Sequence, residues 1–281
     1  MGSMFFQSGY FKILISACIW GTVGIFARWS AMPATDLAFY KTLFACLFLL
    51  SILPREDLLI TNKFKAYMVI FLTGILYALN AILFLSSIYL TTLSNSLFAY
   101  YTKPVIVAFL APFFFRETPE FRNILAIVIS LVGLALILTP SVVSISTQDL
   151  AGIALGLCAA ISASLVVILV KLVQLPAPIV VYYKMVVAIL IMLPLVNFQA
   201  NFHHGQIFIA AIIGVIHTVL PYILYYSGMQ VVKASYGITL TYFDPVVASF
   251  LGVLIFGEEL TYLSLIGGIL IISSGAIIMR H

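Results

Sequence analysis

Charge is what this 281-residue chain has least of: 8% of its residues are Asp, Glu, Lys or Arg, while 64% are apolar. A mean hydropathy of +1.22 leaves too little polar surface to cover a fold in water, which excludes a soluble globular protein. Apolar stretches follow one another so closely that no soluble domain fits between them. The three cysteines, Cys18, Cys46 and Cys158, lie inside apolar stretches without metal-ligand spacing, so neither a disulfide framework nor a structural metal is expected. The neighbours His203 and His204 lack the further ligands that a metal clip needs. No phosphate-cradling loop or cofactor signature is present, and no cofactor is expected. The net charge of +4 sits mostly between apolar stretches, where it reports membrane topology and not nucleic-acid binding.

What is present is a series of apolar runs of the length that crosses about 30 Å of hydrocarbon as helix. Ten spans are expected, at 12–29, 36–53, 66–88, 94–114, 121–139, 150–171, 177–197, 206–228, 234–256 and 261–279. Helices are required because lipid offers backbone amides no partners, and the alternating pattern of a membrane barrel is missing. Lys12 ahead of an apolar run imitates a secretory signal, but nine further spans argue against that. Lys12, Arg55, Lys63, Lys65, Arg116, Arg122, Lys171, Lys233 and Arg280 fall on the side shared by both termini, against Arg28 opposite. This asymmetry predicts a multi-pass protein of the cell membrane with both termini cytoplasmic.

The chain repeats itself. A shift of 141 lays "YTKPVIVAFL" (101–110) on "YFDPVVASFL" (242–251), and "LNAILFLSS" (79–87) on "LPYILYYSG" (220–228). A shift of 143 pairs Pro33 with Pro176, Tyr40 with Tyr183 and Lys41 with Lys184. The expected organisation is one transmembrane domain of two five-helix repeats, residues 1–142 and 143–281. Five is odd, so the second copy crosses in the opposite sense, and the fold class is all-α with inverted repeats.

Lys103 and Asp244 occupy matching places near the centres of spans four and nine, each followed by a proline. Charges at that depth are costly unless they meet a partner or water, and they nominate a functional site. Pro104 and Pro245 cannot donate to the carbonyls of Tyr100 and Thr241, which predicts kinked, partly unpaired backbone along a wet cavity. The substrate-binding set so assembled is Lys103, Asp244, Tyr100, Tyr101, Thr241 and Tyr242, with His217, Asn80, Tyr77, Trp20 and Tyr225 on neighbouring spans. Alternatives stand beside each role. Lys103 and Asp244 are equally readable as an internal ion pair, His217 and Asn80 as core hydrogen-bonding groups, and Trp20 and the tyrosines as packing. Lys41 is expected toward the outside and Lys184 toward the cytoplasm, with Tyr183 beside it, as anion-attracting entrances or as lysines snorkelling to an interface. Glu117 and Glu258 read as helix-terminus residues.

The stretch "FGEELTYLSLIGGILIISSGAIIM" (256–279), its weaker copy around Glu117 and Gly133, and Trp20-Gly21 resemble EamA-type members of the drug/metabolite transporter superfamily. That resemblance implies ten helices in two inverted repeats, a central cavity and transport of small metabolites. A cargo using both central charges is a zwitterion such as an amino acid, moved by alternating access; the three lysines buried in spans point alternatively to organic anions. An intramembrane enzyme is the reading from another class, and it lacks both a second deep acid and a nucleophile motif around Ser162 or Ser164. The partners expected are a small-molecule substrate and the lipid bilayer, with a proton as a possible coupling ion and either a monomer or a homodimer as the assembly.

Overall fold

A computed structural model describes residues 2–54, 64–91, 93–115, 117, 120–138, 147–172, 175–257 and 261–279. Arg55, Lys63, Arg116 and Arg280 of the topology argument, Glu258 of the closing motif and the 142/143 repeat boundary lie outside the described residues. The described chain is helical throughout, running α1 (Gly2–Ser30), α2 (Ala34–Ile52), α3 (Phe64–Leu90), α4 (Leu93–Tyr100), α5 (Lys103–Phe115), α6 (Phe121–Leu138) and α7 (Thr147–Leu172). It continues with α8 (Ala177–Met192), α9 (His204–Gly214), α10 (Leu220–Met229), α11 (Ala234–Thr239), α12 (Phe243–Phe256) and α13 (Tyr262–Met279). These helices make ten apolar spans long enough to cross a membrane, because α4 with α5, α9 with α10 and α11 with α12 each share one.

The breaks in those shared spans have identifiable causes. Span four is interrupted by a turn at Tyr101 and Thr102, and α5 restarts at Lys103 with Pro104 in its first turn, where a missing amide hydrogen costs nothing. Span nine tightens into a 3₁₀ turn at Leu240–Tyr242 before α12, again with its proline, Pro245, in the first turn. Span eight instead widens into a π-helical turn at Val215–Val219 just ahead of Pro221. The proline cannot donate to an upstream carbonyl, and the wider turn absorbs the mismatch. Its repeat-mate at position 80 is asparagine, and α3 runs through unbroken.

The two inverted five-helix repeats pack around a pseudo-axis in the membrane plane. α2 lies on α8, α5 on α11, and α6 on α13, each helix meeting its own mate, while α3 packs on α7 and α1 on α9 and α10. The α6–α13 contact is backbone to backbone: a Cβ on Gly133 would stand 2.6 Å from the Gly267 carbonyl oxygen, and one on Gly267 would stand 2.3 Å from that of Gly133. Ser130 and Ser274, related by the repeat, share a hydrogen bond of 2.5 Å across the same seam.

The interior is lined by aromatic and small aliphatic side chains, among them Tyr225, Tyr226, Met229, Tyr236 and Leu240. Large apolar residues face outward along every span, including Phe71, Phe109, Phe113, Leu190, Phe208, Leu254 and Ile269. An exterior of that kind is solvated by acyl chains, and the protein is an integral, multi-pass membrane protein.

Candidate functional site

The restart of α5 and the restart of α12 bring Lys103 and Asp244 into one region. Lys103 is the positive charge that acts on the Asp244 carboxylate, and the Tyr101 hydroxyl is directed at the same carboxylate. No ion pair within 4.0 Å joins the two; the pairs found at that range among the described residues are Lys171–Glu117 and Lys233–Glu120. The Lys103 ammonium lies over the Tyr100 ring, 3.9 Å from its centroid, and 5.2 Å from that of Tyr101. Tyr101 stacks on its repeat-mate Tyr242 at 6.0 Å, and the Tyr242 hydroxyl donates to the Tyr101 carbonyl at 2.8 Å. Thr241 is buried and returns its hydroxyl to the Ile238 carbonyl at 2.7 Å, so it fastens the 3₁₀ turn. On the α1 side, Gly21 lets backbone approach Asp244: a Cβ there would sit 2.7 Å from the Asp244 carbonyl oxygen.

Tyrosines extend the site across the interior. The Tyr100 hydroxyl donates to the Asn80 side-chain oxygen at 3.4 Å, and the Asn80 amide donates to the Ala159 carbonyl at 2.8 Å. Asn80 therefore joins α3 to α7 and also touches the tyrosine that carries Lys103. Trp20 packs edge-on against Tyr222 at 5.2 Å and against Tyr225 at 5.3 Å. Tyr225 is buried, and its hydroxyl has no hydrogen-bond partner, an open polar atom inside an apolar bundle. Tyr77 meets Tyr222 at 5.7 Å.

Lys184 departs from the sequence expectation. It was placed toward one membrane face, but α8 ends at Met192 and turns through Leu193–Leu195, which puts Lys184 midway along the helix. Its side chain is wholly buried, so no snorkelling brings it to an interface. The ammonium donates to the Tyr226 hydroxyl at 2.9 Å and lies 3.4 Å from the ring centroid of Tyr222 and 4.3 Å from that of Tyr77. Lys41, its repeat-mate, is the charged group whose field reaches it. Tyr183 points elsewhere, into a small cluster with Tyr182 and Tyr67 at 5.2 and 6.3 Å.

His217 sits in the π turn with its Nε2 2.9 Å from the Thr22 hydroxyl and its ring 4.5 Å from Phe26. Together with Phe11, Cys18, Ile19, Thr22 and Ile216 it lines a lateral cleft of about 470 Å³ on α1. A second cavity, of about 220 Å³, is lined by Thr35, Ala38, Ala81, Ile82, Ser86, Met192 and Leu195. None of the sequence-nominated residues lines it, although Ala81 follows Asn80 directly. Its walls carry no titratable group, so nothing in the sequence singled them out.

Sequence reasoning also missed how the face bearing both termini is fastened. Glu117, read only as a helix terminus, accepts from Lys171 at 2.7 Å and from the Ala234 amide at 3.1 Å, linking the region between α5 and α6 to α7 and α11. Lys171 also donates to the Val232 carbonyl at 2.6 Å. Glu120 binds both Lys233 and the Tyr236 hydroxyl, and Arg122 reaches the Ile277 carbonyl at 2.5 Å. The signal was the repeated basic residues of that face, which were assigned to topology alone.

Comparison with known proteins agrees with this architecture. The profile of the EamA-like transporter family matches residues 7–139 and 150–280. An uncharacterized transporter of Archaeoglobus fulgidus is 28% identical over 281 residues, covering 97% of each chain. Two from Bacillus subtilis, the uncharacterized transporters YxxF and YwfM, are 25% and 28% identical, covering 84% and 93% of this chain and 78% and 92% of their own. A solved crystal structure shares the fold, with a TM-score of 0.84 at 13% identity over 97% of this chain and 98% of that one.

Proposed function

Since the chain belongs to the EamA-like transporter family, we propose that it carries small zwitterionic metabolites, amino acids or close relatives, across the cell membrane by alternating access between its inverted repeats. One observation carries the reading. Lys103 and Asp244, opposite in sign and related by the repeat, stand near each other at the two helix restarts without closing into a direct ion pair. A solute carboxylate completes the donors of Lys103, and a solute ammonium completes the acceptors of Asp244. The Tyr100 and Tyr101 rings supply cation-attracting faces beside the same point. Inversion of the repeats supports exchange of access, because each half can adopt the arrangement of the other. The basic residues of the face bearing both termini place that face in the cytoplasm.

The test is uptake of labelled leucine into liposomes containing purified protein, compared for wild type, Lys103→Met and Asp244→Asn. Saturable uptake by the wild type and loss in both variants, with folding intact by size exclusion, supports the reading. Normal leucine transport by either variant removes it.

A further inference from the structure

The central bundle holds a second pair of repeat-related charges, and these have the same sign. Lys184 is fully buried, an ammonium has three donors, and the acceptor it meets is the Tyr226 hydroxyl at 2.9 Å. The Tyr222 and Tyr77 rings face it at 3.4 and 4.3 Å and soften its burial without using its remaining donors. Lys41, from α2, lies within its electrostatic reach and also within that of His217. No acidic side chain pairs with either lysine among the described residues. A purely structural filler at two such mates would be apolar; two cations held together inside a bilayer, with no counter-charge, make a place that only an anion completes.

The tyrosines also connect this place to the first pair. The Tyr77 hydroxyl faces Thr42, next to Lys41, and Tyr222. Tyr100, which carries Lys103 on its ring, sits close enough to act electrostatically on Tyr77, Tyr222 and Tyr226.

We propose that Lys41 and Lys184, with the hydroxyl of Tyr226, form an anion subsite of the transport path that takes a second carboxylate of the substrate, so that the preferred cargo is an acidic amino acid. The proposal rests on the reading of Lys103 and Asp244 as the zwitterion site, and it extends that reading from the amino-acid head to the side chain.

Binding of glutamate, leucine and succinate to the purified protein, followed by calorimetry and by the rise in melting temperature, tests it. Glutamate is expected to bind roughly 10- to 100-fold more tightly than leucine, the range for one charge-assisted contact. Lys41→Met and Lys184→Met each reduce glutamate to the affinity of leucine and leave leucine unchanged, whereas Lys103→Met and Asp244→Asn weaken both amino acids. Without ligand, Lys184→Met melts higher than wild type, since it removes an uncompensated charge from an apolar interior; a lysine serving only as a structural donor gives a lower melting temperature. Lys184→Arg provides the charge-keeping control and retains the preference for glutamate. Equal binding of glutamate and leucine by the wild type, or glutamate affinity indifferent to both methionine variants, overturns the subsite. Succinate binding that depends on Lys184, in a protein that ignores leucine, upholds the subsite and removes the zwitterion reading.

Discussion

The two charge pairs at the heart of this protein obey the same repeat operation but are built differently. Lys103 and Asp244 stand where spans four and nine break, beside backbone that has lost regular hydrogen bonding. Lys41 and Lys184 stand within α2 and α8, which run past them without interruption. The first pair has changed sign since the duplication and the second has kept it. Opposite charges suit a ligand that is itself dipolar, while like charges, screened by tyrosine rings, suit a single anionic group. One operation has thus produced a site of mixed character beside a site of uniform character, and the difference lies in one substituted residue and two helix breaks.

The largest expected effect separates the pairs by activity. Lys103→Ala and Asp244→Ala each abolish solute movement in proteoliposomes while the protein remains folded, since each removes a charge-assisted contact whose loss lowers affinity roughly 10- to 100-fold. A double exchange, Lys103→Asp with Asp244→Lys, sharpens the point: it preserves attraction between the two positions, and restored uptake in that variant means that their order relative to the other tyrosines is immaterial.

Next in size is the approach of α1 to the Asp244 backbone. Gly21→Val forces a branched side chain against a carbonyl oxygen that a bare Cβ would already meet at 2.7 Å. Overpacking of that kind costs about 1–3 kcal/mol, read as a fall in melting temperature, and it disturbs Asp244 more than Lys184. Leucine uptake is expected to fall further than the difference between glutamate and leucine affinity.

The fastening of the termini face comes third. Lys171→Met leaves Glu117 half-paired at a place where the two side chains are 15% and 11% exposed, a cost of roughly 1–3 kcal/mol. Because Lys171 holds both Glu117 and the Val232 carbonyl, its loss is expected to increase labelling of a cysteine placed at Ser235 by a water-soluble maleimide. Unchanged labelling means the network does not close that face. The smallest effect is expected at Thr22→Val, which removes the partner of His217 Nε2 and costs about 0.5–1.5 kcal/mol. Melting is expected to fall slightly, with leucine and glutamate uptake both preserved, because the lateral cleft lies apart from either charge pair.

Much of this architecture was legible in the residues. Apolar length dictated ten spans, the repeat dictated inversion, and the prolines after Lys103 and Asp244 marked where helices restart, all being local properties of the chain. The site was legible only in part. Tyr77 and Tyr222 lie on α3 and α10, far from Lys184 in sequence, so the ring cage exists only after α8 has packed between them. Expecting span seven to run to residue 197 displaced Lys184 from its middle, because Pro194 converts the end of the helix to a 3₁₀ turn. Glu117 was underestimated for a similar reason: its partners Lys171 and Ala234 come from the other repeat. Pro221 announced a disturbance in span eight without saying that a π turn would absorb it and turn His217 toward Thr22.

The glycine seam between α6 and α13 has a mechanical corollary. Where main chain rests on main chain there are no long side chains to slide, lengthen or repack, so this line can turn but cannot stretch. Any rocking of one half against the other must keep these two helices in touch, making Gly133 and Gly267 the fulcrum about which the charged interior would be offered first to one side of the bilayer and then to the other.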